Sequence, residues 1–166
     1  MSVAIYPGTF DPITFGHIDV AVRASRPFEK LVLLIMNNPL KPSTLFNKEE
    51  RMQMAQEVFS DYPNIQIDTH SGLMVEYARQ NEVHVVVRGL RAVSDFEYEM
   101  QMAAANKILF PELDTFFLMT DTRYSFISSS LVKEIALHGG SVDMWVPPSI
   151  RERLQRKVSR GAKQPG

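Results

Sequence analysis

The chain is predicted to form an open, doubly wound parallel α/β sheet of five strands, and three observations point to this. Short runs rich in Val, Ile, Leu and Phe alternate with helix-like segments from one end to the other. The runs are apolar at nearly consecutive positions, as in Val83-His84-Val85-Val86-Val87. A strand covered by helices on both faces needs that pattern. Finally, 166 residues accommodate five β-α units with short connections, but not a closed eight-stranded barrel, which takes about 250.

The first strand is read at Val3–Tyr6, and the turn-rich stretch PGTFDPITFGH ends it. A helix follows over His17–Ser25. The second strand, Lys30–Met36, contains the most apolar run of the chain, LVLLIM, far too short to cross a bilayer. Asn47 with Glu50 three places on has capping-box spacing and starts a helix over Lys48–Ser60. Ile65–Thr69 is the third strand, Leu73–Gln80 the next helix and His84–Arg88 the fourth strand. A helix over Ser94–Leu109 leads to the fifth strand, Thr115–Met119. Gly139-Gly140 closes a helix over Ser129–His138. After Pro147-Pro148 a terminal helix over Ser149–Val158 is expected. Its basic residues are read as a solvated, partly frayed tail because no aromatic residues interleave them. The expected organisation is one domain over residues 1–160, with 161–166 as a disordered tail.

Bulk composition narrows the function. Net charge is -1 and the pI is about 6.4, so neither nucleic acid nor a membrane surface is expected as a partner. The chain has no cysteine, which removes disulfides, thiolate metal sites and cysteine nucleophiles. No charged-then-apolar leader opens it, and a cytoplasmic protein is expected.

In an open α/β sheet, ligands bind beyond the carboxyl ends of the strands. The segments following the five strands are PGTFDPITFGH, Asn37–Pro42, His70–Met74, Arg88–Arg91 and Thr120–Ser130. Glycines, hydroxyls and cations therefore collect on one edge, and that chemistry suits phosphate. Gly8 and Gly16 are expected to allow close backbone approach and positive φ, and a helix opening at Gly16-His17 presents free N–H groups. Ser128-Ser129-Ser130 opens another helix with hydroxyl and amide donors, while Lys41, Arg88 and Arg91 bring permanent charge. Neither a P-loop nor a GxGxxG fingerprint is present. His17, His70, His84 and His138 show no metal-pair spacing, so no metal-ligating residue is expected. There is no GxSxG elbow.

Each feature by itself also has a plainer reading. The Pro-Gly and Asp-Pro pairs are turns, His17 a helix-start residue, Arg88 a surface ion-pair partner and the serines an extended N-cap. Glu97 and Glu99 then form a solvated helix face. Their convergence on one edge is what favours a site.

Gly8-Thr9-Phe10-Asp11-Pro12 with Thr14-Phe15-Gly16-His17 resembles the first signature of the nucleotidylyltransferase superfamily, in the TxGH form of the bacterial phosphopantetheine adenylyltransferases. Ile127-Ser128-Ser129-Ser130-Leu131-Val132-Lys133 is similar to its second motif, with Lys133 where arginine is frequent. Arg88-Gly89-Leu90-Arg91-Ala92-Val93-Ser94-Asp95-Phe96-Glu97-Tyr98-Glu99 is a long match to the same family. The resemblance spans about Ala4 to Pro148 and implies a Rossmann-like nucleotidylyltransferase fold. The implied reaction transfers AMP from ATP to 4'-phosphopantetheine, giving dephospho-CoA and pyrophosphate. Mg²⁺ is the implied cofactor, a homohexamer the implied assembly and coenzyme A an implied inhibitor.

By the same resemblance, His17 acts on the α-phosphate. Thr9, Lys41 and Arg88 hold the acceptor phosphate, and Met74 lies against the pantetheine arm. Thr9, Phe10, His17, Gly89, Leu90, Arg91 and Glu99 contact ATP, together with Tyr124, Ser125, Phe126, Ile127, Ser128, Ser129 and Ser130. Phe15 departs from the family's usual Asn, Tyr124 from its frequent Trp, and the loop Asn38–Leu45 is about one residue longer. Sister transferases acting on nicotinamide mononucleotide or glycerol 3-phosphate are the alternatives, as is a non-catalytic nucleotide sensor. The RGLRAVSDFEYE stretch weighs against the sisters.

Overall fold

The computed structural model describes residues 2–37 and 43–161. Five parallel strands, β1 (Val3–Gly8), β2 (Lys30–Asn37), β3 (Ile65–Ser71), β4 (Val85–Leu90) and β5 (Asp114–Met119), form one sheet in the order β3-β2-β1-β4-β5. Helices α1 (Phe15–Ser25), α2 (Lys48–Val58), α3 (Met74–Gln80) and α4 (Val93–Leu109) make the crossovers. After β5 come a 3₁₀ turn at Thr122–Tyr124, α5 (Ser129–Leu137) and α6 (Pro148–Gly161). The predicted elements are all present, with ends displaced by a few residues at most.

Strand alternation builds two apolar layers. Ala4 and Tyr6 of β1, with Leu31, Leu33 and Ile35 of β2, pack on Val20, Ala21 and Ala24 of α1 and Ala55 of α2. Ile5, Val32 and Leu34 point the other way, against Val75 and Ala78 of α3 and Phe110 and Leu113. Both faces are thus covered, which is why these strands read as continuous apolar runs.

A third cluster lies off the sheet. Ile150 and Leu154 of α6 are fully buried against Phe46, Met54 of α2 and Val132 of α5. Lys157 pairs with Glu50 at 2.8 Å, and Arg153 pairs with Glu57. The expectation of a frayed terminal helix is corrected: α6 is docked through an apolar stripe with period 3.6, and two of its basic residues, Arg153 and Lys157, pair with α2. Truncating Leu154 to Ala would cost about 2–5 kcal/mol. The expected tail lies almost wholly outside the described residues. Among those residues, no helix is long and apolar enough to cross a membrane.

The chain leaves β1 for β2 and β3 on one side, then crosses to β4 and β5 on the other. The connections reverse between β1 and β4, so the crevice beyond the carboxyl ends of these neighbours is the topological switch point.

Candidate active site

Three chain segments meet at that crevice, and hydrogen bonds between them set the geometry. The guanidinium of Arg88, at the end of β4, donates to the Pro7 carbonyl of β1 at 2.6 Å. Arg91 donates to the Ile127 carbonyl at 2.9 Å, and the Ser129 hydroxyl to the Pro12 carbonyl at 2.7 Å. The β1–α1 loop, the β4–α4 loop and the start of α5 thereby become one surface.

His17 is the third residue of α1, and a reciprocal cap locks it. The Thr14 hydroxyl accepts from the His17 amide at 3.4 Å, while the Thr14 amide donates to His17 Nδ1 at 3.1 Å. Nδ1 accepts that bond, so the neutral ring carries its proton on Nε2. Burial, with Arg91 and Arg88 close by, holds the ring pKa down to about 3. His17 is therefore both a helix cap and an uncharged N–H donor at neutral pH.

Beside it the backbone departs from expectation. Neither Gly8 nor Gly16 has positive φ; Phe10 does, at 50°. Such a conformation in a non-glycine residue costs about 1–3 kcal/mol, and packing holds it. The buried Phe10 ring sits edge-on to Tyr6 and His17, with centroids 5.4 and 5.1 Å away. Gly8 is needed for room, since a Cβ there would lie 2.8 Å from Phe10 Cζ. Gly89 serves β4 in the same way: its Cβ would meet Val20 of α1 at 3.0 Å.

Arg88 is fixed by a fork. Its Nε and Nη2 donate to the two carboxylate oxygens of Glu99 at 2.7 and 2.6 Å. The plain reading of Glu99 as part of a solvated face is corrected, because its side chain is only 10% exposed; Glu97 is exposed. Arg91 also pairs with Asp95. Leu90 is buried and Thr9 half-buried.

At the opposite lip, Ser128 caps α5 by accepting from the Leu131 amide at 3.1 Å. Ser130 is exposed. Tyr124 packs on Phe15 at 5.8 Å, and the Phe15 amide donates to the Trp145 carbonyl at 2.8 Å. Phe15 thus ties α1, the β5–α5 loop and the segment before α6 together. The Ser125 hydroxyl bonds the Asp121 carbonyl at 3.1 Å, whereas the Phe126 ring is 85% exposed. Met74 opens α3 at the β3 end of the edge, against the layer that includes Met36. Lys41 lies outside the described residues.

Two residues escaped the sequence reading. Asp11 accepts from the Leu45 and Phe46 amides at 3.0 and 2.9 Å and from Lys133 at 2.8 Å. It anchors the chain after the β2 loop to α5, and Lys133 is its ion-pair partner. Arg51 is buried beneath Thr9 and Asn37. Nothing in its helical surroundings signals that an arginine there turns inward.

Fold and site together define an α/β protein that gathers a histidine, two arginines and the start of a helix at a sheet switch point. The cytidylyltransferase-like family model matches residues 5–135. A phosphopantetheine adenylyltransferase of Caldanaerobacter subterraneus subsp. tengcongensis is 49% identical over 96% of this chain and 99% of its own. One from Thermotoga neapolitana is also 49% identical, over 96% and 98%. The solved structure of a "Putative Nicotinate-nucleotide Adenylyltransferase" from Vibrio parahaemolyticus superposes with a TM-score of 0.66. It covers 93% of this chain and 99% of that one at 17% identity, a likeness of fold. The chain belongs to the cytidylyltransferase-like nucleotidyltransferases and, within them, to the phosphopantetheine adenylyltransferase family.

Proposed function

We propose that the protein transfers AMP from ATP to 4'-phosphopantetheine, giving dephospho-CoA and pyrophosphate, the penultimate step of coenzyme A biosynthesis. The observation that carries this is His17, held as an uncharged N–H donor beside Arg88 and Arg91 at the switch point, in a chain about half identical to enzymes of that name. An acceptor phosphate oxygen attacks the α-phosphorus in line, and the bond to the bridging oxygen breaks as pyrophosphate leaves. The attacking group is already an anion, so neither a general base nor a covalent intermediate is required. His17 Nε2–H stabilises charge building on the α-phosphate.

Thr9, Arg88 and Lys41 orient the acceptor, and Met74 borders its arm. Phe10, Gly89, Leu90, Arg91, Glu99 and the Tyr124–Ser130 segment surround ATP, with Glu99 acting through Arg88. Among the described residues no three His, Asp or Glu side chains converge on a metal position. Asp11 and Glu99 are both engaged by cations. Mg²⁺ therefore enters as part of the ATP substrate, carried on its phosphates.

A homo-oligomer is proposed on a separate feature. Tyr98, Met102 and Ile108 are exposed on α4, which packs on the edge strand β5 through Phe96 and Phe117, and Met119 of that strand is exposed too; Ile108 is 80% exposed. Such a face is what a second copy covers; the hexamer is the family's form. Coenzyme A, which carries parts of both substrates, is proposed to inhibit, and a cytoplasmic setting supplies ATP.

Purified protein with ATP, Mg²⁺ and 4'-phosphopantetheine is expected to release pyrophosphate. Release with nicotinamide mononucleotide, and none with 4'-phosphopantetheine, would overturn the proposal.

A further inference from the structure

We propose that Arg51 is a positioning residue of this site: its buried guanidinium holds the Thr9–Phe10 peptide with the Phe10 N–H turned to the phosphate crevice, and supplies unneutralised positive charge behind the acceptor phosphate. This rests on the adenylyltransferase reading.

Arg51 lies in the second turn of α2 and is 1% exposed. Its guanidinium donates to the Thr9 carbonyl at 2.8 Å, the Met36 carbonyl at 3.2 Å and Asn37 Oδ1 at 2.8 Å. All three acceptors are neutral. Among the described residues no carboxylate lies within ion-pair distance of it. The remaining residues contain no aspartate or glutamate. Asp11 and Glu49 attract it only from a distance, and Asp11 is already bound to Lys133. Burying a lone cation is costly unless something compensates for it, and a phosphate dianion beyond Thr9 and Asn37 would do so.

The hydrogen bonds also give a direction. Arg51 bridges the ends of β1 and β2, so it lies on the β2 side of Thr9. The C=O and N–H of a trans peptide point opposite ways. With the Thr9 carbonyl turned toward Arg51, the Phe10 N–H faces the β4 side, where the switch crevice opens. No acceptor for that N–H is found among the described residues. Phe10 is also the residue held at φ 50°, so its strained peptide is clamped by ring packing on one side and Arg51 on the other. Without Arg51, the carbonyls ending β1 and β2 would present negative ends near the phosphate.

The test compares wild type, Arg51→Met and Arg51→Lys, each checked for folding by circular dichroism and melting. Calorimetry gives the ratio of affinities for 4'-phosphopantetheine and pantetheine, which differ only by the phosphate. Arg51→Met is expected to cut that preference about tenfold while leaving pantetheine affinity unchanged, and to lower kcat about 10²-fold. A merely structural arginine would lower both affinities together. Arg51→Lys keeps the charge without the planar fork; it is expected to retain the phosphate preference and lose about tenfold in kcat. Wild-type preference in Arg51→Met overturns the proposal. If that variant does not fold, wild-type kcat in Arg51→Lys overturns it. Wild-type protein that neither favours the phosphorylated acceptor nor releases pyrophosphate with it removes the underlying reading instead.

Discussion

Replacing Glu99 with Gln leaves the shape of the Arg88 fork intact and removes its charge. Both carboxylate oxygens accept from Arg88, at 2.7 and 2.6 Å. Whichever way the new amide turns, one of those bonds becomes a donor facing a donor. The charge-assisted bond lost is worth about 1.5–3 kcal/mol, and breaking a fully buried pair costs about 3–5 kcal/mol. Glu99 is 10% exposed, but Arg88 is 30% exposed, and water screens part of its orphaned charge. We therefore expect Glu99→Gln to destabilise the fold by about 2–3 kcal/mol, lowering Tm by about 4–12 °C. Urea denaturation and calorimetry at one fixed protein concentration measure this. The acceptor KM should rise too, because Arg88 loses its orientation. A loss below about 0.5 kcal/mol, or additivity with Arg88→Met in a double-mutant cycle, would refute the view that the pair acts as one anchor.

Three further outcomes are expected. His17→Ala should lower kcat about 10²–10³-fold with ATP binding retained, as single-turnover kinetics and calorimetry will show; unchanged turnover would remove His17 from the mechanism. The His17 ring stays neutral down to about pH 3 in the folded state, against an ordinary 6.5. Between those values the unfolded chain binds the extra proton, so stability should fall as pH is lowered through that window, by at most about 1.4 kcal/mol per unit. His17→Gln should flatten this slope in denaturation curves taken across the window, and the turnover profile should show no limb near the ordinary histidine pKa. Asp11→Asn should cost about 2–3 kcal/mol, measured by denaturation, because Lys133 and two loop amides depend on that carboxylate.

Much of the architecture was legible in the sequence because local rules produce it. Continuous apolar strands demand helices on both faces, and Asn47 with Glu50 spells a cap that the structure contains. The punctuation after each strand falls on one edge because every strand is parallel. The motif residues His17, Arg88, Arg91 and Ser128 were visible as chemistry without partners. Which partner each takes depends on strand order, and no residue spacing encodes that the connections reverse between β1 and β4. Tertiary structure alone set Arg88 on Glu99, Asp11 on Lys133, and Phe15 between Tyr124 and Trp145. It also turned Arg51 inward and put the positive φ on Phe10 instead of on a neighbouring glycine. The physical reason is the range of the forces. Periodicity, caps and turn residues act within a few positions of the chain. Burial of a charge or a ring is decided by whatever distant segments bring against it.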